Sequence, residues 1–170
     1  MDDLLSGFYG KSNPMERTLI LLKGDAVQRG LLGSILTRFE ARGLKIVALK
    51  MMQMSRELAE RHYAPHKGKE FYAPLVEFMT ACPIVAMVLE GVDVVNVSRA
   101  MMGTTFCPDA VPGTIRGDLG LSRRYNLVHG SDSAQTAARE ISLFFEPDEL
   151  MEYDRPADAW TYARWKGEYI

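Results

Sequence analysis

A short, unbroken aliphatic run, Thr18-Leu19-Ile20-Leu21-Leu22, limits this chain more than any other feature. It lacks the polar alternation of a half-exposed strand, so it is read as a strand buried on both faces that delivers Lys23 and Asp25 to its end. Two more aliphatic segments, Leu44 to Met52 and Pro83 to Leu89, are read as strands. Between them the period changes to that of a helix. Leu31, Leu32, Ile35, Leu36 and Phe39 share one face, Arg38, Glu40 and Arg42 take the other, and Gly43 supplies the stop. Ser55 caps a short helix through about Tyr63, and further helices are predicted over Phe71 to Thr80 and Val92 to Met102.

The remainder of the chain has a different texture. Gly103 to Arg124 breaks every periodicity and holds Pro108, Pro112, Gly113, Gly117 and Gly120, so a long loop is expected, of the kind that usually carries function. Asn126 to His129 returns briefly to a strand pattern. A last helix follows, marked by Ala134, Ala137, Ala138, Ile141 and Phe145 and ended by Pro147. Residues 1–15 lack apolar periodicity and read as an extension. The segment after Asp148 carries Tyr153, Trp160, Tyr162 and Trp165, too aromatic to be left wholly in water, and is expected to wrap over the domain or a neighbour.

Composition narrows the classes. With 170 residues, 47% of them hydrophobic, the chain can bury one real core. A net charge of -2 gives no general attraction for nucleic acid or an anionic membrane, so any anion site must be local. The longest uncharged apolar stretch, Phe78 to Leu89, is well short of the roughly 20 residues that span a bilayer. The acidic start Met1-Asp2-Asp3 is unlike a secretory signal, so a cytoplasmic protein is expected. Cys82 and Cys107 neither staple a fold nor form a metal set and are expected reduced.

No P-loop or dinucleotide-binding glycine pattern is present, so phosphates would have to be held by side chains. Lys23, Arg99, Thr105 and Arg116 are the candidates, because guanidinium forks match phosphate oxygens. Taken singly, each is a weak signal, because a lone Arg or Lys is more often an ordinary solvated surface charge. His62 and His66 read as surface residues without zinc-site spacing. His129 ends a strand and precedes the small, polar turn Gly130-Ser131-Asp132-Ser133, so its ring is either an accessible nucleophile toward phosphorus or a hydrogen-bonded, partly buried imidazole.

Three blocks decide between these readings. Lys23-Gly24-Asp25-Ala26-Val27-Gln28-Arg29-Gly30, Pro112-Gly113-Thr114-Ile115-Arg116-Gly117-Asp118 and Asn126-Leu127-Val128-His129-Gly130-Ser131-Asp132-Ser133 occur in that order, and together they resemble nucleoside diphosphate kinase. Glu16-Arg17-Thr18, Arg38-Phe39-Glu40, His62-Tyr63 and Trp160 sit where the family pattern puts them. The resemblance covers about Glu16 to Tyr162 and divides the chain into an extension at 1–15, a domain at 16–162 and a short C-terminal extension at 163–170. It implies a ferredoxin-like α/β (α+β) domain with a four-stranded antiparallel sheet covered by helices, assembled as a hexamer or tetramer built from dimers. It also implies ping-pong transfer of a γ-phosphoryl group between nucleoside tri- and diphosphates through phosphohistidine.

On that resemblance His129 is the nucleophile and Glu140 holds its far ring nitrogen. Lys23 binds the phosphate end and the ribose hydroxyl, braced with the nucleophile by Tyr63. Arg99, Thr105 and Arg116 clamp phosphates, and Asn126 holds the sugar. Phe71 stacks on the base with Leu75 beside it, although without the resemblance both read as core residues of a helix. Mg²⁺ is expected to arrive with the substrate phosphates, with no dedicated protein cage. Neither a nucleic acid nor a membrane is an expected partner.

Three departures stand out. Gly24 replaces the family's usual Pro, which is expected to loosen the loop that places Lys23. Phe106-Cys107-Pro108 puts a bulky ring beside Thr105. Arg123 and Tyr125 stand where the family commonly has a small apolar residue and an Arg, so Arg123 is a candidate wall of the base slot. These changes leave an alternative: a catalytically weakened family member acting as an oligomeric nucleotide-binding or regulatory protein.

Overall fold

A computed structural model of the protein describes residues 14–165 with 168 and 169. Most of the expected N-terminal extension, and residues 166, 167 and 170 of the C-terminal one, lie outside the described residues. Four strands form one sheet: β1 (Met15–Leu22), β2 (Lys45–Met52), β3 (Ile84–Val92) and β4 (Val128–Gly130). Their order is β2-β3-β1-β4 with every neighbouring pair antiparallel, the ferredoxin-like arrangement expected.

The unbroken apolar run of β1 has a direct cause. Leu19 and Leu21 point to one face and pack with Ala59, Val76, Ile141 and Phe144. Ile20 and Leu22 point to the other and pack with Ala26, Ile35, Phe39, Val94 and Ile115. All four β1 residues are fully buried, and each such side chain contributes about 1.5–3 kcal/mol. Central strand β3 repeats the division, with Ile84, Ala86 and Val88 on the first face and Val85, Met87 and Leu89 on the second.

The first face is covered by α3 (Arg56–His62), α4 (Tyr72–Thr80) and α7 (Ala134–Phe144). The second is covered by α1 (Gly24–Gln28), α2 (Leu32–Ala41), α5 (Val94–Met102) and α6 (Ile115–Leu119). Ser55 caps α3 by accepting the Leu58 N–H, and Ser133 caps α7 by accepting the Thr136 N–H, both at 3.1 Å.

The long loop differs from expectation, whereas the C-terminal segment follows it except at Trp160. The long loop holds a 3₁₀ turn at Cys107–Asp109 and all of α6, whose cap Thr114 accepts the Gly117 N–H at 3.0 Å. Five helical residues following Pro112-Gly113 are too few to show a period. The C-terminal segment does strap over the corner between α2 and β2. Tyr153 donates to the Ile46 carbonyl and Arg155 to the Gly43 carbonyl. A last turn, α8 (Asp158–Thr161), leads to the hairpin of β5 (Arg164–Trp165) and β6 (Glu168–Tyr169), and leaves Trp160 94% exposed.

Candidate active site

The pairing of β1 with β4 builds the site. Leu21 faces His129 and Leu22 faces Val128 across the ladder, so Lys23, just past β1, lands beside the residues that lead into β4. The Lys23 N–H donates to the Leu127 carbonyl at 2.8 Å, and the Asp25 carboxylate accepts the Leu127 N–H at 3.0 Å. Leu127 takes a φ of 68°, a left-handed conformation that a leucine rarely adopts and that these two bonds hold in place.

These elements flank a cleft of about 1340 Å³. Every residue expected at the site lines it: Lys23, Tyr63, Phe71, Leu75, Arg99, Thr105, Arg116, Arg123, Asn126, His129 and Glu140. Six basic side chains line it against four acidic ones. The local anion attraction that the net charge of the chain withholds is therefore present here.

His129 is oriented through its far nitrogen. Its Nε2 lies 3.0 Å from Glu140 Oε2, which also accepts the Ser131 hydroxyl at 2.6 Å. Nδ1 is thereby the nitrogen left for the cleft. Burial alone would raise the Glu140 carboxyl. The hydrogen bond and charge of His129, with His62 and Ser131, outweigh it and hold the group down at about 2. Glu140 is thus a permanent anion behind the ring.

Lys23 donates from Nζ to Asn126 Oδ1 at 2.7 Å, and Asn126 in turn donates to the Thr105 carbonyl at 2.9 Å. Burial pushes the Lys23 ammonium down to about 8, with the neighbouring charge of Arg116 adding to the effect. Arg99 is exposed on α5 and makes no ion pair among the described residues, so its guanidinium is free for an anion. Arg116 is different. Its guanidinium donates to the carbonyls of Asn126, Gly103 and Val128 at 3.0, 2.6 and 2.7 Å and is nearly buried. The structure makes it a tie between α6, the turn after α5 and β4, besides a member of the cleft wall.

The departures resolve into contacts. A Cβ on Gly24 would lie 2.2 Å from Cys82 Sγ, so this glycine permits a close approach at the first turn of α1, where it was expected to loosen a loop. Phe106 is half exposed, with the Arg123 guanidinium 5.2 Å from its ring centre and ion-paired to Asp109. Arg123 thus lines the cleft already stacked on an aromatic ring of its own chain. The Thr105 side chain is exposed beside it.

Two histidines expected on the surface belong to the site. His62, at the end of α3, is buried, with its ring edge-on to His129 at 4.6 Å between centroids. His66 stacks on Tyr63 and lies 5.5 Å from Phe71, lining the cleft between them. Their spacing alone carried no signal, because the fold and not the sequence brings α3 against β4. Tyr63 is buried with its hydroxyl pushed above its ordinary range by burial, so it stays protonated, and that hydroxyl has no hydrogen-bond partner among the described residues: the expected brace to Lys23 and His129 is not formed in the free protein, where Lys23 turns to Asn126 instead.

The likeness to known proteins covers these same residues. The sequence pattern described as nucleoside diphosphate kinase matches residues 16–150. A nucleoside diphosphate kinase of Desulforamulus reducens is 55% identical over 148 residues, covering 87% of this chain and 99% of the relative. Another, of Thermococcus kodakarensis, is 54% identical over 161 residues and covers 92% of each. The solved structure of a halophilic nucleoside diphosphate kinase of Halobacterium salinarum in complex with CDP superposes with a TM-score of 0.87 at 50% identity, covering 88% of this chain and all of that one. A Babesia bovis family member gives 0.84 at 41% identity, covering 86% and 99%. With fold, cleft and sequence agreeing over most of its length, the chain belongs to the nucleoside diphosphate kinase family.

Proposed function

We propose that the protein transfers the γ-phosphoryl group of a nucleoside triphosphate to a nucleoside diphosphate, by a ping-pong route through His129, and so maintains nucleoside triphosphate pools. The observation that carries this reading is the Glu140 contact at His129 Nε2, which leaves Nδ1 facing a cleft rich in cations. In the first half-reaction the Nδ1 lone pair attacks the γ-phosphorus. A P–N bond forms, the bond to the β-phosphate oxygen breaks, and the diphosphate departs. The proton on Nε2 stays hydrogen-bonded to the Glu140 anion, which balances the charge the ring acquires. In the second half a terminal oxygen of the acceptor diphosphate attacks the same phosphorus, and the P–N bond breaks.

The rest of the site positions this displacement. Lys23 and Arg99 face the phosphate oxygens, Arg116 braces the wall between them, and Thr105 and Asn126 stand at the phosphate and sugar end. Phe71, half exposed on the rim with Leu75 behind it, offers a flat apolar face that any base can stack on, and Arg123 is the candidate opposite wall. The grouped metal-ligand side chains among the described residues, His62, His129 and Glu140, form a nitrogen-rich set, unlike the oxygen shell that Mg²⁺ prefers. Mg²⁺ therefore enters as part of the Mg·nucleotide substrate, where it neutralises phosphate charge.

A homo-oligomer built from dimers, hexamer or tetramer, fits the surface. Edge strand β2 exposes Leu49 and Met51 beside its unpaired edge, and Val111, Leu121 and Trp160 add further apolar area. Action in the cytoplasm is part of the same reading. No helix among the described residues is long and apolar enough to cross a membrane. No observation favours the weakened, purely binding alternative.

The test isolates the half-reactions. Protein incubated with Mg·ATP labelled in the γ-phosphate and freed of nucleotide should hold an acid-labile label and discharge it onto several different nucleoside diphosphates. His129→Ala should do neither, and label that persists in this variant contradicts the proposal.

A further inference from the structure

His62 is an imidazole in a place that packing alone would give to a phenyl ring. It is buried, it meets Tyr63, Phe144 and His129 edge-on at 4.5, 5.3 and 4.6 Å, and neither ring nitrogen has a hydrogen-bond partner among the described residues. Buried polar atoms without partners are a standing cost to a fold, and a Phe of similar shape would avoid it. One neighbouring polar atom is informative. Nδ1 lies 3.7 Å from Glu140 Oε1, beyond hydrogen-bond range in the free protein but within reach of a small turn of either side chain.

The Glu140 carboxylate is unevenly held. Its Oε2 takes His129 and Ser131 at short range, whereas among the described residues Oε1 meets only the half-exposed Arg139, at 3.5 Å, and His62. A carboxylate anchored at one oxygen can swing about that contact, and the ring it orients swings with it. We infer that His62 is a positioning residue for the phosphoryl transfer, holding Oε1 of Glu140 through its Nδ1–H and walling the His129 ring edge-on so that Nδ1 of His129 meets phosphorus. The hydrogen bond from His62 is loose in the resting site and closes as His129 gains charge and draws the carboxylate.

Neutrality is part of this role. The charged groups facing His62 are Glu140, Arg139, Lys23 and His129, and burial holds its imidazole down to about 3 in spite of the carboxylate. An uncharged donor steadies Glu140 without consuming the negative charge that the phosphorylated ring needs. A cationic His62 would both share that charge and repel the ring beside it.

The inference rests on His129 being the nucleophile, and its test separates the two. His62→Phe and His62→Asn are compared with the unmodified protein by single-turnover phosphorylation from Mg·ATP, steady-state KM, thermal unfolding and ¹⁵N spectra of the histidine rings. His62→Phe should unfold no earlier than the unmodified protein, keep KM within about twofold, and phosphorylate about tenfold more slowly or worse, a fraction of the loss that an ångström of misplacement brings. Its His129 should no longer be held in the single Nε2–H tautomer. His62→Asn, which restores a donor near Oε1, should recover most of the rate. In the unmodified protein His62 itself should carry its proton on Nδ1, a measurement that needs no variant. A His62→Phe protein labelled at the normal rate with an unchanged His129 tautomer, or a His62 protonated only at Nε2, overturns the inference. A rate loss that follows a lowered unfolding midpoint and is not recovered by Asn does so too. An unmodified protein that takes no label overturns the proposed function instead.

Discussion

Lys23 is an ammonium held where ammonium ions are disfavoured, walled by the end of β1 and set against the charge of Arg116. Because its folded pKa of about 8 lies below the ordinary lysine value of 10.5, the unfolded chain binds more protons between those limits, and stability rises with pH across that window. Below pH 8 the buried charge is fully present and its penalty with it. For catalysis the sign reverses, since only the charged form attracts phosphate. The kcat/KM profile should therefore fall on an alkaline limb near pH 8, and Lys23→Arg, whose guanidinium cannot deprotonate, should lose activity overall while losing that limb. A limb that remains at the same pH in Lys23→Arg belongs to another group.

Gly24 is a second single-residue question. Proline suits the first position of a helix, and α1 begins at Gly24, yet Cys82 Sγ occupies the space that the ring requires. Gly24→Pro alone should gain little or lose stability, whereas Gly24→Pro combined with Cys82→Ala should gain roughly 0.4–1 kcal/mol over Cys82→Ala. Thermal unfolding of the four proteins measures the coupling. Equal effects of proline in both backgrounds would show that the sulfur yields freely.

At the scale of elements, the part most visible in the sequence is the part whose pattern is long. β1, β3, α2 and α7 each bury enough residues for their period to declare the burial. The short elements α1 and α6 do not, and both are fixed by long-range contacts. Arg116 shows the consequence. From the sequence it reads as a phosphate clamp that should matter to the transition state and little to the fold, yet its carbonyl partners tie α6 to two other segments, the turn after α5 at Gly103 and the stretch Asn126 to Val128 that enters β4. Arg116→Ala should lower the unfolding free energy by about 1–3 kcal/mol, the range for buried partners left unsatisfied, and reduce kcat/KM as well. Denaturant unfolding alongside steady-state kinetics checks this. An unchanged midpoint would return Arg116 to a purely catalytic part. His62 and His66 were illegible for a related reason: a helix of seven residues gives no sign of which strand it will meet, and the packing of α3 against α7 brings His62 to His129 on β4.

For the whole molecule, the open edge of β2 is the feature that a single chain leaves unsettled. Met51→Lys should weaken self-association through that edge while leaving the fold intact, and sedimentation velocity of both proteins should show smaller species in the variant. An unchanged distribution would place the interface elsewhere. All other expectations converge on one ring nitrogen. Glu140 occupies His129 Nε2, so the phosphoryl group has only Nδ1 to join. The most direct measurement is the ³¹P spectrum of the phosphorylated protein after denaturation at alkaline pH, where the two phosphohistidine isomers are distinguished against standards. Phosphate on Nδ1 of His129 is the predicted result, and phosphate on Nε2, or on any other residue, contradicts the mechanism.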